Sequence, residues 1–195
     1  MEAVFYNSLN ILFEGSYFKL KSLKEKFSAW QLVWESLKPA DKKNLNPEKE
    51  WEGLEKLGVN LVLEKDERYP DLLKEIPHPP HGLYFRGNLK TDCSSNLAIV
   101  GTRKATESGK STARDFAHKL SQSGLNIISG LALGIDASSH EGALNAKGFT
   151  LAVLGNGPDR FYPTQNEGLA KKILAAGGAV VSEYVKDMYL ESGGE

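Results

Sequence analysis

The second half of the chain alternates short apolar runs with helix-like runs, and this alternation limits the fold more than any other feature. From residue 96 onward the apolar runs read NLAIVG, GLNIISG, TLAVLG and AVVSEY. The helix-like run after the first of them places its apolar residues on one face, at Ala113, Phe116, Ala117 and Leu120. Strands without polar alternation, each followed by a helix, are typical of a parallel sheet. We predict an α/β, Rossmann-like parallel sheet with helices on both faces over residues 96–195 and right-handed crossovers.

The first part of the chain has a different character. Residues 1–60 hold all three tryptophans and many leucines and lysines with helical spacing, so we predict a small all-helical domain there. One apolar stripe consists of Leu20, Leu23, Phe27, Trp30 and Trp34. A second stripe ends at Gly58, a typical helix stop, and the tryptophans are expected to pack in the core. Residues 61–95 are rich in proline, contain two short strand-like runs, and are predicted to connect the two domains.

The composition limits the kinds of function that remain. The chain has 195 residues, a formal net charge of −1 and a pI near 6.5, so an anion site must rest on local charge and backbone amides. Cys93 is the only cysteine, which excludes an internal disulfide and a thiolate metal cluster. His78 and His81 lie among prolines and are predicted to be solvated loop residues, so no metal is expected. Because no 18-residue apolar run and no leader sequence occurs, we expect a cytoplasmic protein without a membrane partner.

The loop after the first strand, GTRKATESGKST, looks like a phosphate-binding loop. A Walker A loop needs a glycine five residues before its Gly-Lys-Ser/Thr, but Lys104 occupies that position. The G-x-G-x-x-G fingerprint also fails, because Gly109 is the next glycine after Gly101. What remains is a glycine that allows close backbone approach, the hydroxyl of Thr102, and the planar guanidinium of Arg103 at the start of a helix. These residues, with Lys104, predict an anion site and not a triphosphatase.

Similar loops follow the second and third strands, SGLALGID and LGNGPDRFYPTQN. The residues that these loops are predicted to contribute to the site are Ser129, Gly130, Gly134, Gly155, Asn156, Gly157, Arg160, Tyr162 and Asn166. Ligands of open α/β sheets bind outside the carboxyl ends of the strands, so the three loops predict one shallow trough for a phosphate-bearing ligand. The local charge agrees, because residues 101–120 carry five cations and two acids. The cations are Arg103, Lys104, Lys110, Arg114 and Lys119.

Asp136 and His140 lie four residues apart and share one face of the predicted second helix. Together with Ser129 or Ser139 they suggest a catalytic triad, but the G-x-S-x-G elbow that presents such a serine is absent. We therefore interpret Asp136 as a helix cap and His140 as a hydrogen-bonded support below the trough. No catalytic residue and no cofactor is predicted.

The three loop motifs VGTRKAT, SGLALGIDASSHEGAL and VLGNGPDRFYPTQN together resemble those of the DNA-processing protein A family, DprA or Smf. The resemblance extends over about residues 50–184. It implies an extended Rossmann-like domain, often preceded by a helical domain similar to a sterile alpha motif. It also implies a protein, not an enzyme, that binds and protects single-stranded DNA, helps to load the RecA recombinase during natural transformation, and self-associates as a homodimer.

By this resemblance, the loop of Gly101, Thr102 and Arg103 holds DNA phosphates, with the two later loops alongside. A strand of phosphates requires repeated amide donors and arginines and no catalytic base, and its binding weakens as salt rises. We expect either that Tyr162 or Phe161 stacks on a base or that these rings are buried below the third helix.

The chain departs from the family pattern at its end. It stops soon after SEY, where family members continue with further strands that carry much of the self-association surface and the recombinase contact. We therefore expect a fragment or a shortened member. A different class remains open: an enzyme that binds or cleaves nucleoside monophosphates, resembling the lysine decarboxylase-like family. That family uses a PGGxGTxxE loop with a catalytic glutamate, where this chain has LGNGPDRFYP. A structural role with an empty trough is a third alternative.

Overall fold

A computed structural model of the chain describes residues 1–90 and 94–185. Cys93 and the predicted end of the Rossmann-like region, residues 186–195, lie outside the described residues. The first segment is helical and comprises α1 (Glu2–Leu12), α2 (Tyr17–Lys26), α3 (Trp30–Ser36), a 3-10 helix (Pro39–Lys42) and α4 (Pro47–Lys56). The next segment comprises β1 (Asn60–Leu63), α5 (Asp71–Lys74) and β2 (Gly82–Gly87). The last comprises β3 (Asn96–Ala98), α6 (Glu107–Gln122), β4 (Asn126–Ser129), α7 (Ile135–Asn145), β5 (Thr150–Val153), a 3-10 helix (Thr164–Asn166), α8 (Glu167–Ala175) and β6 (Ala179–Ser182).

The six strands form one sheet in the order β1-β2-β6-β5-β4-β3. The strands β3 to β6 are parallel, which confirms the predicted α/β fold with a Rossmann-like sheet after a helical segment. The two strands of the predicted connector are part of this sheet. Strand β2 pairs antiparallel with β6, with Phe85 opposite Val181, and β1 continues the sheet beyond it. Antiparallel strands at the edge of a mainly parallel sheet are common, because they pair an otherwise open edge.

The three long helices of the parallel part lie along the same face of the sheet. Because β3, β4, β5 and β6 follow one another without a reversal of direction, right-handed crossovers bring α6, α7 and α8 to one side. The core agrees with this arrangement. Ile127 of β4 packs with Ala117 of α6 and Ala143 of α7, and Ala152 of β5 packs with Ala170 of α8.

The opposite face of the sheet has a thinner cover. Leu151 and Val181 pack there against Tyr69 and Leu73 from the segment that contains the short helix α5. Towards β3 this cover ends, and Val153 is 48% exposed. Helices therefore lie on both faces of the sheet, as predicted, with the three long helices of the parallel part together on one face. The amphipathic spacing of a helix shows that it covers a sheet, but not which side it covers.

The helical segment is built on aromatic packing. Trp30 and Trp34 are buried, as predicted. The single stripe predicted from Leu20 to Trp34 is, however, divided between two helices, because the backbone is extended at Phe27 and α3 begins at Trp30. The carboxylate of Glu2 accepts hydrogen bonds from the backbone N–H groups of Trp30 (2.7 Å) and Gln31 (3.3 Å). The carboxylate thus provides acceptors for two backbone N–H groups that are otherwise unpaired at the start of α3. Because Glu2 is distant in the chain, no local sequence pattern predicts this contact.

The prediction that His81 is a solvated loop residue is wrong. Its ring stacks on Tyr17, with ring centres 5.1 Å apart and an interplanar angle of 10°, and it meets the edge of Trp30 at 5.4 Å. Burial lowers the pKa of His81, and Glu64, with Oε2 3.5 Å from Nδ1, opposes that shift. His78 is exposed. Tyr17 of α2 contacts both histidine rings, at 5.2 Å for His78 and 5.1 Å for His81, but only the side chain of His81 is largely covered.

Helices α6 and α7 approach each other closely. The residues of α6 that are buried differ for this reason from those that the sequence predicted. A Cβ atom at Gly142 would lie 2.9 Å from the Cβ of Ala117, so only small side chains fit between the two helices. Ala113 and Ala117 are buried there, but Phe116 is 62% exposed and does not belong to the buried face.

Across residues 1–90 and 94–185, none of the helices combines the length and the apolar character that a membrane crossing requires.

Candidate functional site

The loop after β3 is held in place by its backbone. A Cβ atom at Gly101 would lie 2.7 Å from Cγ1 of Ile135, so the loop approaches α7 as closely as it does because this residue is glycine. The carbonyl of Thr102 accepts a hydrogen bond from the N–H of Ile135 (3.3 Å). The hydroxyl oxygen of Thr102 accepts one from the N–H of Lys104 (3.2 Å). The loop thus presents Arg103 and Lys104 outward, and both are exposed.

Asp136 joins the first two loops. Its Oδ1 accepts a hydrogen bond from the N–H of Gly101 (3.2 Å), and its Oδ2 accepts one from the N–H of Gly130 (3.0 Å). The side chain is 6% exposed. The N-cap residue of α7 is Gly134, and Asp136 lies in the first turn, so Asp136 links two loops and is not the helix cap that the sequence predicted.

This link changes the expected role of the two glycines. The N–H groups of Gly101 and Gly130 point down to Asp136, so they do not point to a ligand above the loops. Among the residues that the structure describes, the backbone N–H groups of Thr102 and Arg103 have no hydrogen-bond acceptor. An anion above this loop would therefore meet these two amides and the guanidinium of Arg103, in line with the general use of loop amides for anions.

Polar side chains also fix the second loop. The hydroxyl of Ser129 donates to the carbonyl of Ile99 (2.6 Å), which joins β4 to the end of β3. Leu131 has a positive φ of 58°, and its carbonyl accepts a hydrogen bond from the amide of Asn166 (2.8 Å). Gly134 has a φ of 85° and packs against the backbone of Thr102, where no larger residue fits. The predicted site residues of this loop therefore support the trough from below.

The third loop is folded around a buried asparagine. The side-chain amide of Asn156 donates to the carbonyls of Gly157 (2.9 Å) and Arg160 (3.0 Å) and is 6% exposed. Gly155 lies exposed on the rim, and so does the side chain of Arg160.

The two aromatic residues of the third loop have opposite environments. Phe161 is 8% exposed and packs under the guanidinium of Arg86, which lies 5.1 Å from the ring centre. Tyr162 is 59% exposed. Of the two rings considered for base stacking, Tyr162 is the one that a ligand can reach.

Ion pairs reduce the number of available cations near the first loop. Lys110 pairs with Glu107 (2.8 Å), and Arg114 pairs with Glu141 (2.6 Å). Arg103, by contrast, has no hydrogen bond or ion pair with any other residue in the described parts of the chain. Of the five cations in residues 101–120, Arg103 and Lys104 are therefore the two at the rim that have no ion pair among the described residues.

His140 lies below the trough and is fully buried. Its Nδ1 is 2.7 Å from the hydroxyl oxygen of Thr150, and that hydroxyl donates its own hydrogen to the carbonyl of Ile127 (2.7 Å). Nδ1 must therefore carry the hydrogen, which leaves Nε2 as a buried lone pair without a partner among the described residues. Burial lowers the pKa of His140 to about 4, so the ring is neutral near pH 7.

Two residues of this region were not predicted from the sequence. Thr106 is the N-cap of α6, and its hydroxyl oxygen accepts a hydrogen bond from the N–H of Gly109 (3.1 Å). A threonine before a helical run is a recognised start signal, so this cap could have been found. Glu183 follows β6 at the same edge of the sheet, and burial raises its pKa. It places an acidic side chain at the edge of the sheet that also carries Arg103.

Comparisons with known proteins identify the family of the chain. The family model of DNA recombination-mediator protein A matches residues 60–192, and the chain therefore belongs to that family. It is 43% identical over 145 residues to Protein Smf of Synechocystis, covering 72% of this chain and 36% of that protein. It is 36% identical over 114 residues to DNA processing protein DprA of Bacillus subtilis, covering 58% of this chain and 38% of that protein. The chain thus spans little more than a third of the length of these relatives.

Two solved structures share the fold. The X-ray structure of DNA processing protein A from Streptococcus pneumoniae matches with a TM-score of 0.64 at 31% identity, covering 80% of this chain and 55% of that one. DNA processing protein A from Helicobacter pylori, whose structure was determined for its single-stranded DNA binding mode, matches with a TM-score of 0.59 at 31% identity. That match covers 69% of this chain and 60% of the other.

Proposed function

We propose that this chain binds single-stranded DNA across the carboxyl ends of β3, β4 and β5 and acts in DNA processing during natural transformation. The observation that carries the proposal is Arg103, an exposed guanidinium without a partner among the described residues, on a loop fixed from below by Asp136. An arginine on a fixed loop can contact phosphate oxygens through two parallel hydrogen bonds. The names of the relatives and the Helicobacter pylori structure support DNA as the ligand.

The side chains exposed on these loops favour a single strand. Single-strand binders combine a positive groove for the backbone with exposed aromatic rings on which bases stack. Arg103 and Lys104 supply the first feature, and Tyr162, exposed on the loop after β5, supplies the second. We assign the phosphate contacts to Thr102, Arg103, Lys104 and Arg160. Tyr162 is assigned to base stacking, and the remaining predicted residues position these loops: Gly101, Ser129, Gly130, Gly134, Gly155, Asn156, Gly157 and Asn166.

We propose that the ligand is bound and not cut. The two residues with the best spacing for acid–base chemistry are both engaged in the scaffold. The carboxylate oxygens of Asp136 accept hydrogen bonds from two backbone amides, and His140 is buried under the loops with a pKa of about 4. Neither can exchange a proton with a ligand in the trough, and the third loop lacks the glutamate of the monophosphate-cleaving enzymes.

The proposal extends to partners and organisation. The outer side of β3 has no strand beside it in the part of the chain that the structure describes, which supports self-association as a homodimer. We also propose that the whole protein helps to load RecA onto the bound strand in the cytoplasm, and that residues 1–60 form a domain similar to a sterile alpha motif.

A binding titration tests this function. The chain should bind oligo(dT) more tightly than duplex DNA of equal length, and the affinity should fall steeply between about 50 and 200 mM salt. Release of a free base from a nucleoside monophosphate would instead favour the enzymatic alternative. If the chain binds no oligonucleotide even at low salt, the proposal is wrong and a structural role gains support.

A further inference from the structure

An exposed aromatic ring lies at the start of α2. Phe18 is 68% exposed. Its neighbours are Tyr17, with ring centres 5.4 Å apart at 80°, and His78, at 5.4 Å and 69°. Tyr17 is anchored by its stack on the buried His81. We call Tyr17, Phe18 and His78, with Lys19 and Lys21, the α2 cluster.

The α2 cluster lies at the same edge of the sheet as the phosphate loops. Strand β2 runs antiparallel to β6, with Tyr84 opposite Ser182, so β2 begins where β6 ends. His81 immediately precedes β2 and therefore lies at the carboxyl ends of the parallel strands, and Tyr17 stacks on it. Only two strand spacings separate β2 from β5, or about 10 Å. One extended ligand can therefore reach both places.

The charge of α2 suits a polyanion. The helix carries four lysines and one glutamate, Glu25. Lys24 is bound to the carbonyl of Ser28 and lies near Glu2. Lys19 and Lys21 have no carboxylate partner among residues 1–90 and 94–185, and the ammonium of Lys21 lies 5.9 Å from the ring centre of Tyr17. Exposed aromatic rings beside lysines are typical of surfaces that bind single-stranded nucleic acid.

We propose that the α2 cluster is a second contact for the same DNA strand, in which a base stacks on Phe18 and Lys19 and Lys21 contact the adjoining phosphates. This inference rests on the proposed function and deepens it. A membrane surface fits the cluster less well. The other apolar residues of α2 face inward, since Leu20 is 1% exposed and Leu23 packs against the core, so the helix has no broad apolar face for lipid. Glu183 lies between the two contacts, and the strand must pass above it.

Oligonucleotides of two lengths test the inference in the full chain. We would measure the affinity for a thymidine dinucleotide, which is too short to join contacts about 10 Å apart, and for about thirty thymidines, in the wild-type protein and in Phe18→Ala, Phe18→Trp and Phe116→Ala. Phe116 is the matched control, because it is equally exposed on a helix but outside the α2 cluster. We expect Phe18→Ala to weaken binding of the long oligonucleotide about tenfold and to leave the short one unchanged, since the loss of stacking on one ring has an effect of about this size. Phe18→Trp and Phe116→Ala should both bind like the wild type.

The possible results separate this inference from the function on which it rests. If Phe18→Ala binds the long oligonucleotide as tightly as the wild type, the second contact is refuted and the proposed function stands. If Phe116→Ala weakens binding as much as Phe18→Ala, the effect is not specific to the α2 cluster and the inference is also refuted. If the wild type binds neither oligonucleotide, the proposed function itself fails. If the wild type binds anionic lipid vesicles but no DNA, and Phe18→Ala abolishes the lipid binding, the α2 cluster is a membrane contact and the inference is overturned.

Discussion

The two halves of the sheet are stabilised in different ways. Below the loops of the parallel half, buried polar side chains connect one loop to the next, as Asp136 does for Gly101 and Gly130 and as Asn166 does for Leu131. In the antiparallel half, aromatic rings connect the sheet to the helical segment. Tyr6 meets Trp30 at 5.1 Å and stacks with Tyr84 at 6.4 Å. Hydrogen bonds therefore fix the geometry of the loops in the parallel half, while apolar burial stabilises the other half.

The most severe test of this comparison is to break the link between the loops. In Asp136→Asn one oxygen can still accept a hydrogen bond, but the amide NH₂ then faces the other glycine N–H. We expect the free energy of unfolding to fall by about 3–4 kcal/mol, because a charge-assisted bond is lost and a buried donor is left unpaired. Urea denaturation measures this change.

Asp115→Asn is the matched control, because Asp115 is exposed on α6. It should leave the unfolding midpoint nearly unchanged. Equal stability of Asp136→Asn and the wild type would show that the link between the loops contributes little, and the proposed difference between the two halves would then disappear.

Acid should weaken the parallel half through His140. The pKa of this residue is lowered to about 4 in the folded chain, against about 6.5 when unfolded, so the folded state favours the neutral ring. The resulting stability is fully present above pH 6.5 and is lost as the pH falls from 6.5 to 4. The total loss should be about 3 kcal/mol.

The variant His140→Gln isolates this effect from other titrating groups, including His81. The difference in unfolding free energy between the wild type and this variant should shrink as the pH falls towards 4. A difference that stays constant over that range would mean that His140 does not titrate in this way.

The same contrast explains what the sequence could predict. The parallel half consists of strand–loop–helix units whose key residues lie close together in the chain, so the strands, the three loops and the exposed Arg103 were all visible as patterns. The link from Asp136 to Gly101 spans 35 residues, and for that reason the local pattern predicts only a helix cap at Asp136. The motif predicts the candidate site residues, but it does not separate the exposed ones, such as Arg103, from those that lie buried below the loops, such as Asp136.

Long-range contacts dominate the antiparallel half, and prediction was weaker there. Glu2 supports the start of α3 from 28 residues away, and Tyr84 reaches Asn7 across 77 residues. The aromatic residues were correctly expected in a core, but their partners were not. The burial of His81 and the division of the stripe between α2 and α3 both follow from such contacts, and no local periodicity contains them.

A smaller effect is expected from removing a polar contact in the aromatic half. The hydroxyl of Tyr84 donates to Oδ1 of Asn7 (3.2 Å), and both side chains are buried. Tyr84→Phe should lower the free energy of unfolding by about 1 kcal/mol, because the ring is retained and one neutral hydrogen bond is lost. Thermal unfolding would show this change. A loss as large as that of Asp136→Asn would mean that both halves depend equally on hydrogen bonds.

The smallest expected effect concerns the rim itself. Glu107 pairs with Lys110 in the first turn of α6, so Glu107→Gln would release a cation beside the first loop. We expect oligo(dT) to bind about twofold more tightly at low salt, with the gain lost at high salt because exposed charges are screened. Fluorescence anisotropy at two salt concentrations measures it, and a gain that persists at high salt would contradict this cause.

The salt dependence of oligo(dT) binding in Arg103→Ala tests the central claim most directly. Lys119→Ala is the control, because it removes one positive charge near the other end of α6, about 18 Å along the helix. If Arg103 contacts a phosphate, Arg103→Ala should bind markedly more weakly, and its plot of log affinity against log salt should be shallower by about 0.7. Lys119→Ala should keep the wild-type slope. An Arg103→Ala protein with the affinity and the slope of the wild type would contradict the account.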